Sequence, residues 1–448
     1  MQCLIALPSV SPAPITRRAS GMKSNHRPRR TRARDGIKII ELGAALALLL
    51  AACGSAPASS PSANTSPIPI GYNGPITGHG AHTGIGLLEG AEVAVQAINN
   101  AGGVMGRHVQ LISGDNKTDP IDAIPVAQQQ ISVDHIVASL GPASSELVAT
   151  KRYYDAANIP IALYGGDTTY DKITDPLIWK VTPSDSELGV AMALYASKAG
   201  YHRAVMLFDT TQASQQLKAI VTRTWVKLGG TVAATVDYAA EQTSYRSEVE
   251  KVIAAKPDVI LFYMTAPTMG VMFANMEELN GLSIQMVGDD SSLGSSFVKV
   301  VGLANHQKVV TSLTTGTVTS PGLTFFNNLY ATKLGHAPEP NANYGYDGIT
   351  MLALAIEKAQ STDGLAIARA IPEVEDPNNQ QVYTFAQGLA ALKAGKNIKY
   401  VGVGGPLDFD ANHQVYGPFG AYKATDTNGG TRLVMSLSTD ELRAAGAP

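Results

Sequence analysis

The sequence predicts an α/β protein made of two doubly wound lobes, each with a parallel sheet. Short apolar runs alternate with helical patterns from about Ile68 onward, which is typical of βαβ units. The alternation comes in two series, before and after Tyr201, and two series favour two lobes over one very wide sheet. Roughly 380 residues lie in this region, which is enough to bury two cores.

The first βαβ unit begins at Ile68. An apolar strand leads into a turn of Gly, Pro and Thr, and apolar residues then recur at the spacing of a buried helix face: Leu87, Ala91, Val95 and Ile98. Gly102 and Gly103 are predicted to end this helix, because glycine tolerates the left-handed backbone found there. A second strand follows at residues 108–113, and this order requires a parallel pair with a crossover.

Four motifs in this region carry a family resemblance: GPITG at residues 74–78, EGA at 89–91, INNAGGVMGR at 98–107 and DP at 119–120. They resemble the opening of type I periplasmic binding proteins, and most closely the branched-chain amino-acid (Leu/Ile/Val-binding) group of ABC-transporter substrate-binding proteins. The resemblance extends more diffusely to about Val434. It implies two lobes joined by a three-strand hinge, with a solute held in the cleft between them.

The first 52 residues are predicted to be a lipoprotein signal peptide. Eight Arg and Lys residues precede a short apolar segment, residues 37–52, which leads into Cys53 as the residue to be lipidated. A basic arm for nucleic acid is the alternative that this order of segments disfavours. The apolar segment is short for a membrane span and contains Glu41. The long stretch ahead of it suggests that translation starts later, at Met22.

Removal of the signal peptide makes the chain acidic. Nine of the 34 Lys and Arg residues and two of the 37 Asp and Glu residues precede Cys53, so 25 basic residues face 35 acidic ones in the mature chain. Nucleic-acid binding is therefore not expected, since Lys and Arg must neutralise phosphates. After Cys53, residues up to 67 are small residues, Pro and one Asn. Residues 53–67 are predicted to be a flexible tether.

The remaining elements of the first lobe follow the same alternation. Strands are predicted at residues 135–140 and 159–164, and helices at 121–131 and 146–157. Asp119 is predicted to cap the first of these helices, with Pro120 at its first position.

The second series of elements starts after Tyr201. Strands are predicted at residues 203–208, 231–238, 258–263 and 284–287, and helices at 214–228, 245–255, 269–279 and 295–301. Helices are also predicted at residues 321–334, 346–359 and 382–394.

By the resemblance, the chain crosses between the lobes near residues 182–187, 312–316 and 405–417. Lobe 1 then comprises residues 68–184 and 316–410. Lobe 2 comprises residues 185–315 and 411–436, and residues 437–448 form a C-terminal tail.

The ligand site is expected beyond the carboxyl ends of the strands, where ligands bind in open parallel sheets. In lobe 1 the strand that ends at Leu140 delivers Ser144 and Ser145 to a helix start, whose N–H groups suit a carboxylate. The next strand leads to Gly166 and Thr168. The resemblance implies that Ser144, Ser145 and Thr168 hold the carboxylate of an amino acid. The alternative is that Ser145 is only an N-cap.

In lobe 2 the strand ends lead to Ala213, Thr265 and Asp290. The resemblance implies that Asp290 pairs with the ammonium group of the ligand. A carboxylate that faces a bound cation makes physical sense, because an unpaired charge in a closed cleft is costly. The alternative is that Asp289 or Asp290 caps a helix that starts near Ser291.

Three positions depart from the family pattern. The group usually has tyrosines that close on the ligand where this chain has Thr83 (with His82 beside it), Ala213 and Thr265. Their absence predicts a roomier and more polar pocket. The ligand is therefore not restricted to leucine, isoleucine or valine, and an amide, a larger polar amino acid or another small organic acid is also compatible.

No enzyme activity or cofactor is predicted. The sequence contains no G-x-S-x-G, H-E-x-x-H, C-x-x-C or Walker motif. His79 and His82 are two metal-capable groups in a Gly-rich loop without further ligands, so no metal is expected. Gly84, Gly86 and Gly90 approach the dinucleotide fingerprint, but the third is one place late. Tight strand–helix packing explains these glycines without a cofactor.

The sequence thus predicts a lipid-anchored, extracytoplasmic, monomeric protein that captures an amino acid or amide-like solute and delivers it to an ABC permease. The alternative function is a ligand-sensing receptor component that signals to a membrane partner. An enzyme on the same scaffold is a third hypothesis, for which the sequence offers no catalytic residues.

Overall fold

The structure, a computed structural model, describes residues 65–78, 80–315 and 320–448, apart from the side chain of His82. The predicted signal peptide, Cys53 and most of the tether lie outside the described residues, as does His79. No helix within the described ranges is long and apolar enough to cross a membrane.

The first lobe is built on five parallel strands. They are β1 (Ile68–Gly74), β2 (Val109–Asp115), β3 (Ala138–Leu140), β4 (Ile161–Leu163) and β5 (Ile178–Lys180). The connecting helices are α1 (Ala81–Asn100), α2 (Pro120–Ser132) and α3 (Ser144–Ala157), and a 3-10 turn covers Thr168–Tyr170. The strand order β2-β1-β3-β4-β5 places the carboxyl ends of all five at one edge.

Two predictions about the ends of helices in this lobe are confirmed. Helix α1 ends just before Gly102 and Gly103, whose φ angles of 103° and 76° are left-handed. Pro120 is the first residue of α2, and the Asp119 carboxylate accepts a hydrogen bond of 2.6 Å from the N–H of Ile121.

Two predicted strands are longer than the observed ones. Strand β3 begins only at Ala138, because His135 adopts a left-handed φ of 52° that does not continue a strand. Strand β4 begins only at Ile161, because Asn158 is the left-handed C-cap of α3 and Pro160 has no N–H for the ladder.

The second lobe starts with α4 and continues as a parallel series. Its strands here are β6 (Arg203–Asp209), β7 (Thr231–Tyr238), β8 (Val259–Phe262), β9 (Gln285–Gly288) and β10 (Val310–Thr315). Its helices are α4 (Asp185–Lys198), α5 (Gln212–Lys227), α6 (Arg246–Ala254), α7 (Ala266–Glu278), α8 (Ser295–Val301) and α9 (Leu303–Val309), with a 3-10 helix at Asp290–Leu293.

The chain then returns to the first lobe for four helices and a small sheet. These are α10 (Pro321–Leu334), α11 (Ala342–Ala359), α12 (Gly364–Val374), β11 (Gln380–Val382), α13 (Phe385–Lys393), β12 (Ile398–Gly402) and β13 (Gly405–Pro406). The prediction of a helix from residue 382 is wrong at its start, because Val382 pairs with Tyr400 in the small sheet. The helix begins after Thr384, whose hydroxyl accepts from the N–H of Gln387 at 3.3 Å.

The last elements complete the second sheet. They are β14 (Phe419–Ala424), β15 (Thr431–Leu437) and α14 (Thr439–Ala445). The order is β15-β14-β10-β9-β8-β6-β7, parallel except that β14 and β15 are antiparallel to their neighbours. Lys198 of α4 forms an ion pair with Glu441 of α14.

The predicted fold class is confirmed. The chain leaves the first sheet after Lys180 and leaves the second sheet after Thr315, for the helices and small sheet that pack on the first lobe. It returns to the second sheet after Pro406. Each sheet also has an apolar core on both faces. In the first lobe, Ala162 of β4 belongs to one apolar cluster and its strand neighbours belong to another. In the second lobe, Met206 of β6 belongs to one apolar cluster, and its neighbours in the strand belong to the cluster on the other face.

The glycines near the start of α1 have a packing role. A Cβ on Gly86 would collide with the carbonyl oxygen of Pro340, and one on Gly90 with that of Ala342. Close packing therefore explains these glycines, as predicted, but the partner is the start of helix α11 and not a strand.

Candidate functional site

Ser144 and Ser145 start helix α3, beyond the end of β3. The N-cap is Ala143, so the alternative in which Ser145 is the N-cap is wrong. Ser145 is exposed, and its hydroxyl donates to the Glu146 carboxylate at 2.7 Å. The hydroxyl of Ser144 is buried and has no hydrogen-bond partner among the described residues. Of the two serines, Ser144 is therefore the one whose hydroxyl has no hydrogen-bond partner in the described chain.

Gly165 and Gly166 follow β4 and bring two polar side chains together. The Ser144 hydroxyl lies 3.1 Å from the place of a Cβ on Gly165, which has a left-handed φ of 117°. The Asp185 carboxylate lies directly against the Cα of Gly166, and the Asp185 N–H donates to the Gly166 carbonyl at 2.7 Å. Asp185 was missed by the sequence analysis, although it lies in the predicted crossing at 182–187.

Thr168 joins the two lobes directly. Its hydroxyl and its N–H both donate to the side-chain oxygen of Gln216, at 2.9 and 3.3 Å. Gln216 lies on α5 of the second lobe. Thr168 was predicted to help hold a ligand carboxylate, but both of its donors thus bind an amide oxygen from the opposite lobe.

Asp289 and Asp290 follow β9 in the second lobe. Asp289 occupies the N-cap position of the 3-10 helix, and its carboxylate accepts from the Ser291 hydroxyl at 2.7 Å. Within the described chain, no other side chain donates a hydrogen bond to the carboxylate of Asp290, and the nearby N–H of Ser291 opposes the rise of its pKa. The capping position therefore belongs to Asp289, and Asp290 lacks a side-chain partner.

The acids are close enough to affect one another. Burial raises the pKa of Asp185 to about 7, against the opposing effect of Lys180, and the charge of Asp289 adds to the rise. Burial also raises the pKa of Asp290, with further contributions from Asp289 and Asp185. Three carboxyl groups of the second lobe thus lie within electrostatic reach of one another, and that of Asp185 also lies against Gly166 of the first lobe.

Lys180 is the nearby cation, and it is already engaged. Its side chain is fully buried, and its ammonium forms an ion pair of 3.0 Å with Asp171. The ammonium also donates to the carbonyls of Gly166 and Asp167, at 3.4 and 3.3 Å. Lys180 therefore holds the loop of Gly165 and Gly166 in place through these hydrogen bonds, and it forms its ion pair with Asp171 and not with Asp290.

Two tyrosines near the acids were missed by the sequence analysis. Tyr263 follows β8, and burial raises its pKa well above the usual range, with added effects of Asp289 and Asp209. Tyr344, near the start of α11, shares a hydrogen bond of 3.1 Å with Thr315 and lies within electrostatic reach of Asp290. The signal for Tyr263 was its place at a strand end, two residues before the predicted Thr265.

The other predicted residues lie at helix starts. Thr265 is the N-cap residue of α7, and its hydroxyl lies 3.4 Å from that of Thr268. Ala213 is half-buried in the first turn of α5. Thr83 lies in the first turn of α1, where its N–H donates to the Gly80 carbonyl.

A second contact closes the lobes at another edge of the cleft. The Ser295 hydroxyl, at the start of α8, donates to the Glu339 carboxylate at 2.6 Å, and the Ser295 N–H donates to the same group at 3.3 Å. Together with the contact between Thr168 and Gln216, this pair holds the lobes against each other. The structure is therefore a closed form.

The cavity among the crossing segments is too small to be the ligand site. A cavity of about 30 Å³ among the crossing segments, lined by Val181, Thr315 and Tyr344, has room for one water molecule and not for an amino acid. No cluster of three or more metal-ligating side chains occurs in the part of the chain that the structure describes.

Comparison with known proteins places these features in a family. The sequence profile of a family described as periplasmic binding protein matches residues 67–430. An amino acid binding protein of Pseudomonas aeruginosa is 27% identical over 301 residues, which is 66% of this chain and 79% of that protein. The Leu/Ile/Val-binding protein homolog 1 of Brucella suis is 24% identical over 347 residues, which is 75% of this chain and 88% of that protein.

Solved structures share the fold. The branched-chain amino acid transporter substrate binding protein of Streptococcus pneumoniae, in complex with isoleucine, has a TM-score of 0.69 at 21% identity and covers 83% of this chain and 99% of its own. An ABC-transporter solute binding protein of R. palustris, in complex with benzoate, has a TM-score of 0.67 at 16% identity and covers 83% of this chain and 96% of its own.

The family match spans most of the chain, and the family and its relatives here are substrate-binding proteins and not enzymes. The chain therefore belongs to the periplasmic binding protein family, as a type I member of the kind found in branched-chain amino-acid ABC transporters.

Proposed function

We propose that this protein is the solute-binding component of an ABC importer and captures an amino acid or related small polar solute between its lobes. The observation that carries the proposal is the convergence of Ser144 and Asp185 with Asp290 in a closed cleft. The relatives support it, since two are named as amino-acid or Leu/Ile/Val binding proteins and the structural neighbours hold isoleucine or benzoate.

The proposed mechanism is closure of two lobes on a hinge. A ligand that enters the open cleft brings charge or hydrogen-bonding groups to Asp290 and Ser144. Closure then removes water and forms the contacts of Thr168 with Gln216 and of Ser295 with Glu339. The permease recognises the closed form, so that only loaded protein delivers its solute.

The proposal includes the predicted lobe limits, a monomeric state and an extracytoplasmic location, which agrees with the family. It also includes a lipid anchor on Cys53. A Cys53→Ala variant is expected to move from the membrane to the soluble fraction of the cell, as measured by fractionation. Retention of the variant in the membrane fraction contradicts the anchor but not the binding function.

The binding function is tested by thermal unfolding of the protein without its signal peptide against amino acids, amides, amines and small carboxylates. A ligand at 100 times its dissociation constant is expected to stabilise the folded form by about 2.7 kcal/mol. Uptake of the same compound by cells that have or lack the gene then checks transport. Loss of the gene without loss of uptake contradicts the importer role.

A further inference from the structure

One short segment after β9 takes part in both the proposed solute site and the contact between the lobes. It covers residues 289–295, and we call it the acid segment. Asp290, near its start, belongs to the proposed solute site. Ser295, at its end, donates to the Glu339 carboxylate of the opposite lobe. The position of the acid segment therefore affects solute binding and closure together.

A buried histidine contacts the middle of the acid segment. His306 of α9 is fully buried, and its Nε2 lies 2.8 Å from the carbonyl oxygen of Ser292, a residue that is also fully buried. The Ser292 hydroxyl donates to the Asp289 carbonyl at 2.6 Å and shares a hydrogen bond with the Ser312 hydroxyl. His306 thus holds the backbone of the acid segment from a position 14 residues later in the chain.

This contact determines the protonation state of the imidazole. A carbonyl oxygen can only accept a hydrogen bond, so Nε2 of His306 carries a proton and donates it. Nδ1 is buried without a partner in the described chain, and a second proton there would have no acceptor. Burial lowers the pKa of His306, against the opposing effect of the Ser292 carbonyl, and the charge of Lys423 on β14 lowers it further. The imidazole is therefore neutral, with its one proton on Nε2.

Aromatic packing keeps the imidazole in this orientation. The Phe297 ring of α8 meets the His306 ring edge to face, with 6.1 Å between the ring centres. Phe297 also stacks on Phe262 of β8, with 6.3 Å between the ring centres, and both phenylalanines are fully buried. Close packing of this kind limits rotation of the imidazole, so its Nε2–H stays directed at the Ser292 carbonyl.

We propose that His306 is a positioning residue for solute binding, whose imidazole holds Asp290 and Ser295 in the places that binding and closure require. This inference rests on the proposed solute-binding function and adds to it a residue that does not touch the solute. His306 acts through the Ser292 carbonyl. Loss of the Nε2 donor leaves that buried carbonyl unpaired and allows the acid segment to move.

Two variants of similar size isolate the hydrogen bond. His306→Gln keeps a side-chain N–H donor, whereas His306→Met has none. Hydrogen exchange, in the protein without its signal peptide and without solute, is followed at the N–H groups of Ser292 and Gly294, which donate within the acid segment. We expect exchange to rise at least about tenfold in His306→Met and to stay within about threefold of the parent in His306→Gln. His202→Met, at an exposed position, is the control and should match the parent.

Binding is measured with isoleucine and benzoate, the compounds held by two of the structural neighbours. For a probe that binds the parent, calorimetric titration should give an affinity at least about tenfold lower in His306→Met and within about threefold of the parent in His306→Gln. A histidine with only a structural role would lower the free energy of unfolding in both variants without this difference in affinity. Nitrogen NMR spectra of the parent should show the tautomer with the proton on Nε2.

Each contrary result has a defined meaning. A parent imidazole with its proton on Nδ1, or equal exchange in the two variants, overturns the positioning role. Faster exchange in His306→Met with unchanged affinity for a bound probe overturns the connection to the solute. If His306→Met does not fold, the tautomer of the parent and the exchange in His306→Gln decide the inference. If neither probe binds, exchange and the tautomer decide the role of His306, and the wider thermal screen decides the solute-binding function separately.

Discussion

The Asp185 carboxylate occupies the space that a side chain on Gly166 would need. A Cβ at residue 166 would lie far inside the van der Waals radius of the carboxylate oxygen, so only glycine lets the two loops meet. The requirement for glycine at 166 and the position of the Asp185 carboxylate in the cleft thus result from the same contact.

Gly166→Ala is therefore expected to displace Asp185 from the cleft. Affinity for the cognate solute should fall at least tenfold, and overpacking should lower the free energy of unfolding by about 1–3 kcal/mol. Titration and chemical denaturation measure the two effects. Gly417→Ala is the control, because a Cβ there meets no atom within 4 Å. Equal losses in both variants contradict a specific role of the contact between Gly166 and Asp185.

The contact between Ser295 and Glu339 is expected to favour the closed form. Ser295→Ala removes a hydrogen bond to a carboxylate, worth about 1.5 kcal/mol or more, and should weaken solute binding at least about tenfold, mainly through faster dissociation. Stopped-flow displacement measures the dissociation rate. Ser247→Ala is the control, since this exposed serine contacts only the side chain of its neighbour Glu248. A dissociation rate unchanged in Ser295→Ala contradicts a role of this contact in closure.

The fold was predictable because its signals are local. The glycines after α1 and the cap at Asp119 depend on a few neighbouring residues, and both are confirmed. The start of α13 was not predicted, because Val382 is drawn into a strand by Tyr400, a partner 18 residues away. Periodicity does not report such tertiary pairing.

Residues of the candidate site at the ends of strands were predictable, but the contacts between the two lobes were not. Ser144, Thr168 and Asp290 lie at strand ends, where the sequence rules place ligands. Asp185 was missed because its role depends on packing against Gly166, which brings a crossing segment to a loop 19 residues earlier. The use of Thr168 by Gln216 was also not predictable, since it exists only when the lobes are closed.

Gln216 is expected to contribute to ligand choice. Gln216→Ala frees the N–H and hydroxyl of Thr168, two donors that suit a carboxylate. Affinity for a carboxylate-bearing amine such as lysine should therefore rise relative to that for 1,4-diaminobutane, an amine without a carboxylate, by at least about tenfold for one hydrogen bond to a carboxylate of about 1.5 kcal/mol or more. Calorimetric titration measures both affinities, with Gln128→Ala on the exposed face of α2 as control. A ratio that stays the same shows that Thr168 does not select against carboxylates.

The acids of the cleft are expected to make the unliganded protein less stable as the pH rises. Burial raises the pKa of Asp185 to about 7. A carboxyl group with a higher pKa in the folded than in the unfolded chain holds more protons when folded, so the free energy of unfolding falls with rising pH. For Asp185 the fall runs from about pH 4, where the unfolded group titrates, to about pH 7. The charged groups that act on it are Lys180, Asp167, Asp289 and Asp171.

Denaturant unfolding at pH 5 and pH 8, without ligand, measures this fall. Asp185→Asn cannot lose a proton, so its stability should fall less between the two pH values than that of the parent chain. Part of the fall should remain, because burial also raises the pKa of Glu187 to about 8 and that of Asp347 to about 6. Asp440→Asn, at an exposed position, should follow the parent. An identical fall in Asp185→Asn and the parent means that Asp185 is well solvated in the unliganded protein, which is then open in solution.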